Sequence, residues 1–464
     1  VSLYVVILAA GKGTRMKSSR PKVLHELAGR SIIEHVLSTV DGLHAAASVV
    51  VIGHGADEVR AALAARPSLQ FAVQSPQLGT GHALMQAMPA LAGKSGTVLL
   101  VYGDVPLLQT NTLSRLIEHH RAHKAAATVL TMELPEPYGY GRIVRDKEGK
   151  IARIVEERDA SGEQQQIQEV NSGIYCFDLK PLFNSLDQLA ADNAQGEYYL
   201  TDLVSIYRRA KLRVETLSLE SPDELRGVNS RVDLSELGAI VRARKNREVM
   251  FAGVTLEDAA TTYIDVQVTI GADTIIGPGV VLQGTTTIGE GCRIHAGSRI
   301  TNSTIGSRVT VLDHSVIADS RVDAGARIGP MAHIRPESEV AENAHVGNFV
   351  ELKKTKLGKG SKANHLAYLG DATIGERANI GAGTITCNYD GQAKHPTIID
   401  DGAFIGSDSQ LIAPVRIGAG AYVAAGSSIT KDVPAEALGI ARGRQQNIPD
   451  WAAARRARRA KGHD

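Results

Sequence analysis

The chain predicts two architectures in series: a doubly wound, mostly parallel α/β sheet over residues 1–229, and a parallel β-helix of hexapeptide repeats from residue 251 onward. Three observations carry this expectation. Short apolar runs rich in β-branched residues alternate with amphipathic stretches through the first half. In the second half an aliphatic residue returns at every sixth position: Ile270, Ile276, Leu282, Ile288, Ile294 and Ile300. The beat recurs at Ile328, Ile334, Val340 and Val346, at Ile374 and Ile380, at Ile399 and Ile405, and at Leu411, Ile417, Val423 and Ile429. Finally, 464 residues are too many for one ordinary domain.

Strands are expected at residues 5–8, 49–52 and 98–101, continuous apolar runs of the kind that parallel strands buried on both faces require. Residues 32–37, 83–91 and 113–123 read as helices. Ligands of such sheets gather beyond the carboxyl ends of the strands, so the residues after each run matter most. The first run leads into Leu8-Ala9-Ala10-Gly11-Lys12-Gly13-Thr14-Arg15-Met16, a loop small enough for backbone N–H groups to approach phosphate oxygens, with Lys12 and Arg15 to neutralise them. It is neither G-x-G-x-x-G nor a Walker A loop, because Thr14 follows the second glycine and no Gly-Lys-Ser/Thr occurs. A plain glycine turn with solvated basic side chains is the competing reading. The third run ends in Tyr102-Gly103-Asp104. Asp104 is a candidate Mg²⁺ ligand, since Mg²⁺ is commonly held by one or two carboxylates plus substrate phosphates; a turn or helix cap is the alternative. Residues 230–250 place Leu234, Leu237, Ile240 and Val241 on one helical face, which predicts a connecting helix with Ser230 as its N-cap.

In the repeat half, residues six apart on an α-helix would be rotated by roughly 240° and could bury nothing together. Strands keep an even period on one face, and stacked coils cover one another without a conventional core. Glycines directly after the aliphatic positions (Gly271, Gly277, Gly289, Gly329, Gly375, Gly406, Gly418) are expected to allow a corner at each beat. Residues 350–354, 364–371 and 386–396 read as interruptions whose polar content marks a site. Within the second, His365 is a candidate general base, because an imidazole of ordinary pKa, about 6.5, is largely unprotonated at neutral pH. A capping or surface histidine is the alternative in a chain with 15 of them.

Net charge of +1 gives no drive toward nucleic acid or an anionic membrane, so an acidic ligand must be held locally. Three widely spaced cysteines, Cys176, Cys292 and Cys387, suggest neither a disulfide framework nor a zinc site, and a reducing cytoplasm is expected. Residues 1–8 lack the basic region and long apolar stretch of a signal peptide, and no window of about 18 unbroken apolar residues occurs. The tail carrying Arg455, Arg456, Arg458, Arg459 and Lys461 reads as solvated rather than as a binding patch.

The loop at residues 8–16, Pro21-Lys22, Gln77-Leu78-Gly79-Thr80-Gly81-His82, Tyr102-Gly103-Asp104, Gly139-Tyr140-Gly141-Arg142, Glu156, Asn171-Ser172-Gly173 and Gly227-Val228-Asn229 together resemble the sugar-phosphate nucleotidyltransferases. Followed by this repeat half, they resemble over nearly the whole chain the bacterial bifunctional N-acetylglucosamine-1-phosphate uridylyltransferases and glucosamine-1-phosphate N-acetyltransferases. The resemblance implies a Rossmann-like nucleotidyltransferase domain, a left-handed coil, and a cytoplasmic homotrimer whose acetyltransferase sites lie between subunits, with no nucleic-acid or membrane partner. It further implies that N-acetylglucosamine 1-phosphate attacks UTP, with Arg15 and Lys22 stabilising phosphates and Asp104 and Asn229 coordinating Mg²⁺. Leu8, Ala9, Ala10 and Gly11 would cradle the substrate, and Gln74, Gly79 and Thr80 would recognise uracil. Gly141, Glu156 and Asn171 would hold the sugar, with Tyr102 and Gly103 alongside.

For acetyl transfer the segment Asn364-His365-Leu366-Ala367-Tyr368-Leu369-Gly370-Asp371 resembles the family's catalytic loop, although family variants have Gly at the position of Asn364. By that resemblance His365 deprotonates glucosamine 1-phosphate and Glu351 orients the imidazole. Arg335 and Lys353 would bind the sugar phosphate, and Tyr368 and Asn379 the ring. Acetyl-CoA would meet Ala382, Asn388, Tyr389, Ser407, Ala425 and Arg442. Two alternatives compete: a nucleotidyltransferase alone with a regulatory or oligomerising β-helix, and a non-catalytic scaffold. Retention of Arg15, Lys22, Asp104 and Asn229 together speaks against the scaffold.

Overall fold

The computed structural model describes residues 1–461. It divides into two compact units, Val1–Arg244 and a second from Lys245 onward. The first unit runs β1 (Leu3–Ala9), the small hairpin β2 (Glu26–Leu27) and β3 (Arg30–Ser31), α1 (Ile32–Asp41), β4 (Ala47–Ile52), α2 (Ala56–Ala62), β5 (Leu69–Val73), α3 (Thr80–Leu91), β6 (Thr97–Tyr102) and α4 (Thr110–Ala122). It continues through β7 (Ala127–Glu133), β8 (Arg142–Arg145), β9 (Ile151–Val155), α5 (Gly162–Gln165), β10 (Glu169–Asp178), α6 (Leu179–Leu186), α7 (Asp202–Arg209) and β11 (Val214–Leu219). The sheet order is β11-β7-β10-β6-β1-β4-β5, parallel except at β10, which is antiparallel to both neighbours, and a β8–β9 hairpin pairs with β10.

β1 lies inside the sheet, between β6 and β4, and all of its residues are apolar and buried. Val6 faces Val49 on β4 and Leu100 on β6. Its alternate side chains enter two cores: Val6 and Leu8 share one with Leu84 and Leu91 of α3, and Val5 and Ile7 the other with Ile33, Val36 and Leu37 of α1. The chain leaves β1 toward β4 and returns to β6 on the other side, which opens a crevice at the carboxyl ends of β1 and β6.

The expected connecting helix is α8 (Arg231–Phe251), and the division between the units falls within it. Ser230 caps it as expected: Asp233 N donates to Ser230 Oγ at 3.2 Å, and Ser230 N donates back to Asp233 Oδ2 at 2.8 Å.

Among the described residues the second unit is a parallel β-helix of three sheets with 11, 10 and 9 strands. One inward column reads Ile270, Ile288, Ile305, Val322, Val340, Leu357, Ile374, Ile399 and Ile417, each opposite the next. Some coils run one residue short of three hexapeptides, as from Ile288 to Ile305, so the six-beat slips in sequence while the column stays in register. This overturns two of the expected interruptions. Within residues 350–354, Leu352 pairs with Ile334 and Leu369, and just before residue 364 Ala363 pairs with Val346 and Ile380, so both segments are ordinary coil. The third region does leave the prism, but only after Cys387, since Thr386 is still paired with Leu411, and it returns at Thr397.

The glycines also serve a purpose other than the one expected. Apart from Gly329 (φ 92°), those following the beat are not in the left-handed region. A Cβ on Gly289 would stand 2.6 Å from Ser307 N of the next coil, and one on Gly271 2.6 Å from Glu290 N, so close stacking excludes a side chain. Left-handed corners fall instead at positions such as Asp273, Gly291 and Arg308. Buried hydroxyls satisfy carbonyls between coils: Ser298 Oγ donates to Leu312 O at 3.1 Å, Thr355 Oγ1 to Leu369 O at 2.8 Å and Ser361 Oγ to Gly375 O at 2.7 Å. The first coil is closed by Asn246, whose Nδ2 donates to Ala259 O at 2.8 Å and Thr262 O at 3.0 Å, and by Val249 in the same core.

The tail forms α9 (Trp451–Lys461), with Arg455, Arg456, Arg458 and Arg459 exposed and the Arg455 guanidinium 5.0 Å over the Trp451 ring. Among the described residues no helix is long and apolar enough to cross a membrane.

Candidate active sites

In the first unit the crevice is built where β1 and β6 end. Gly103 N donates to Leu8 O at 2.9 Å, joining the two sequence signatures through their backbones. Gly13 has φ 60°, and a Cβ there would stand 2.7 Å from Lys22 Cβ, so glycine lets the loop turn while Lys22 passes against it. Lys22 Nζ is ion-paired with the Asp104 carboxylate and donates to Asn229 Oδ1 at 3.1 Å, while Val228 N donates to Asp104 O at 2.9 Å. Two residues distant in sequence, expected as metal ligands, thereby converge on one ammonium. Asn229 is fixed in turn by Asp233 Oδ2, which accepts its N–H at 3.0 Å. Burial would raise the Asp233 carboxyl, but N–H groups of Asn229 and Ser230 and the Ser230 hydroxyl hold it below its ordinary value.

Two adjoining cavities, about 420 and 550 Å³, meet at Thr80, Tyr102 and Asp104. The first is lined by Leu8, Ala9, Ala10, Gly11, Lys22, Gln74 and Gly79, and the second by Arg15, Gly141, Glu156, Asn171 and Asn229. Every residue expected at this site except Gly103 borders one of them. Gln74 Nε2 donates to Gly79 O at 2.9 Å, and Gly79 has φ 103° with Tyr198 O only 2.7 Å from where a Cβ would stand. Leu200 N donates to Thr80 Oγ1 at 3.2 Å. Burial raises the Glu156 carboxyl, partly offset by the Thr201 hydroxyl, which donates to Oε1 at 3.0 Å. Burial also raises the Tyr102 phenol, reinforced by the charges of Glu156 and Asp104. Asn171 lies at a bulge in β10, and its Oδ1 accepts from Gly173 N at 3.0 Å. Sequence reasoning missed Asp233, Tyr198 and Thr201 as supports of this site. The Ser230-x-x-Asp233 spacing was a readable signal for the first; the other two carry none.

In the second unit, His365 ends the strand Lys362–His365 and is exposed. Tyr368 begins the next sheet, beyond the corner at Leu366 (φ 50°). Within one chain the Glu351 carboxylate pairs with Arg335, Nη1 to Oε1 at 2.7 Å, and the Glu351 strand stacks on that of Tyr368 and not on that of His365. His365 Nδ1 is instead 2.7 Å from Asn348 Oδ1, directly opposite it on the preceding coil. Asn379 lies in the same sheet as His365. Lys353 Nζ is 3.2 Å from Asp371 Oδ2, and the same carboxylate accepts from Asn388, so two expected contact residues share one anchor. Lys394 of the excursion approaches Lys353 closely enough that its ammonium is held below its ordinary pKa by that neighbour. This gathers a second cation that sequence reasoning did not select. Ala382 and Ser407 sit at one corner of successive coils, with Asp408 N donating to Ala382 O at 2.7 Å and Gly426 N to Ser407 O at 2.8 Å. Arg442 Nη1 donates to Ala425 O at 2.7 Å, and Tyr389 is exposed on the excursion.

Comparison with known proteins matches each unit separately. Residues 5–169 match the MobA-like NTP transferase domain, and residues 267–302 and 396–431 match the bacterial transferase hexapeptide of six repeats. Over its length the chain is similar to the "Bifunctional protein GlmU" of Trichlorobacter lovleyi, 51% identical across 96% of this chain and 97% of that one. The proteins of the same name from Pelobacter propionicus (50%, covering 97% and 98%) and Brevibacillus brevis (50%, covering 97% of each) are similar to the same degree. With half of its residues shared across nearly the full length of these relatives, and with both of their domain types in sequence, the chain belongs to the GlmU family of bifunctional proteins.

Proposed function

We propose that the chain makes UDP-N-acetylglucosamine at two separate sites, acetylating glucosamine 1-phosphate with acetyl-CoA in the repeat half and then transferring a uridylyl group from UTP in the first unit. The observation that carries the uridylyl reading is the convergence of Asp104 and Asn229 on Lys22 beside the glycine loop. Those two hard oxygens suit Mg²⁺, and no cluster of three His, Cys, Asp or Glu side chains occurs among the described residues, so phosphate and water oxygens would complete its shell. When bound, Mg²⁺ would neutralise triphosphate charge. The N-acetylglucosamine 1-phosphate oxygen attacks the α-phosphorus, a P–O bond forms, and the bond to pyrophosphate breaks. The nucleophile is already ionised, so the chain's task is positioning and charge: Arg15 and Lys22 meet phosphates, Gln74, Gly79 and Thr80 the uracil, and Glu156 and Asn171 the sugar.

In the repeat half His365 takes the proton of the sugar amine as nitrogen attacks the thioester carbonyl. The C–N bond forms, the C–S bond breaks, and the CoA thiol leaves. Arg335, Lys353 and Lys394 supply charge for the sugar phosphate. The homotrimer that the family resemblance implies would complete the acetyl site between subunits. An oligomerising rod alone would have no use for an exposed imidazole tethered to the adjacent coil.

The test separates the sites. His365→Ala should abolish CoA-thiol release with glucosamine 1-phosphate while pyrophosphate release from UTP continues, and Asp104→Ala should do the reverse. Simultaneous loss of both activities in folded protein would refute two independent sites.

A further inference from the structure

We infer that Asn348 is the positioning residue for the general base, its amide oxygen holding the proton on Nδ1 of His365 so that Nε2 presents the basic lone pair to the substrate. The inference rests on the reading of His365 as the base.

The strands His345–Asn348 and Lys362–His365 stack in parallel, with His345 opposite Lys362, Val346 opposite Ala363 and Asn348 opposite His365. Gly347 permits the contact, because a Cβ there would collide with the Asn364 carbonyl. The coils therefore close until Asn348 Oδ1 lies 2.7 Å from Nδ1, and Leu366 N donates to Asn348 O at 3.0 Å, fixing the backbone on both sides of the pair. With the amide oxygen facing Nδ1, the hydrogen bond forms when Nδ1 carries the proton, which is the tautomer the proposal assigns. Both strands turn immediately afterwards through bulky left-handed residues, Phe349 (φ 56°) and Leu366 (φ 50°). Such residues are strained at these angles, so the corner beside the imidazole is held by its stacking rather than by local preference.

The charged groups around the pair leave this assignment in place. His345, on the strand of Asn348, is lowered by burial and by Arg327, Lys362 and His365, so it is neutral near pH 7. Glu351 is committed to Arg335. Within the chain the contact made at Nδ1 is with the neutral amide of Asn348, which orients the ring.

Acetyl transfer and UTP-dependent pyrophosphate release are measured on the full chain across pH. Asn348→Ala should lower kcat for acetyl transfer about tenfold or more, with KM for glucosamine 1-phosphate and acetyl-CoA within about twofold and pyrophosphate release retained. Asn348→Asp keeps an acceptor, so it should retain most of kcat at high pH. Its added charge should move the acidic limb of the profile upward by about one pH unit. If Asn348→Ala also loses pyrophosphate release, the fold is damaged and the shift in Asn348→Asp decides. An unchanged kcat in Asn348→Ala, or an unshifted profile in Asn348→Asp, overturns the inference. Acetyl transfer persisting in His365→Ala would instead overturn the reading of the base.

Discussion

His120 shows what burial does to a single ionisable residue in the first unit. Its side chain is 2% exposed, and Nδ1 lies 2.9 Å from Thr128 Oγ1. Asp178 is 3.8 Å from Nε2 and half-exposed, too weak a partner to hold a charge there, and burial together with Arg121 and His119 lowers the pKa to about 4. The unfolded chain therefore binds the extra proton first. Stability should be complete above about pH 6.5 and should fall as pH drops through about 4, by on the order of 3 kcal/mol. Urea unfolding across this window should show the slope in the parent and a flatter one in His120→Gln; equal slopes would mean the imidazole titrates normally. No motif announces such a residue. The same holds for Thr201 and Asn348, whose meaning lies in what they touch. Asp104, Asn229 and Lys22 were legible because each belongs to a recognisable string, but that the first two meet on the Lys22 ammonium required the fold. Glu351, placed beside the imidazole by resemblance, meets Arg335 within the chain, because its strand joins a different sheet from that of His365.

At the scale of elements, the buried strands and the α8 cap were readable because apolar runs and a Ser-x-x-Asp spacing reflect local physics. The six-beat was readable as a coil but not in its continuity, since a corner can absorb a missing residue without moving the inward column. Segments that looked like breaks at 350–354 and 364–371 are therefore coil with polar outer faces. The glycines make a testable contrast. Gly289→Ala places a methyl against the next coil's backbone and should cost about 2–3 kcal/mol. Gly402, with φ 66° and open space around it, should accept Asn within about 0.5 kcal/mol, because Asn tolerates that conformation. Chemical unfolding midpoints of the two variants would decide, and equal losses would mean that backbone angle rather than contact sets the requirement.

At the scale of the molecule, each unit has its own buried clusters, so removing one activity should leave the other. The β-helix is sealed at its start by Asn246 and Val249, whereas its last strands leave Leu438 and Ile440 more than half exposed. A stack whose turns touch only their neighbours should fray from the unsealed end like a spring unwinding from its loose tip. Amide exchange should be slowest near the plug and quicken toward residue 439, and the turns proposed to grip the acetyl donor lie in the part that loosens first. Donor binding would then act as the missing lid, slowing exchange at the far end while leaving the near end as it was.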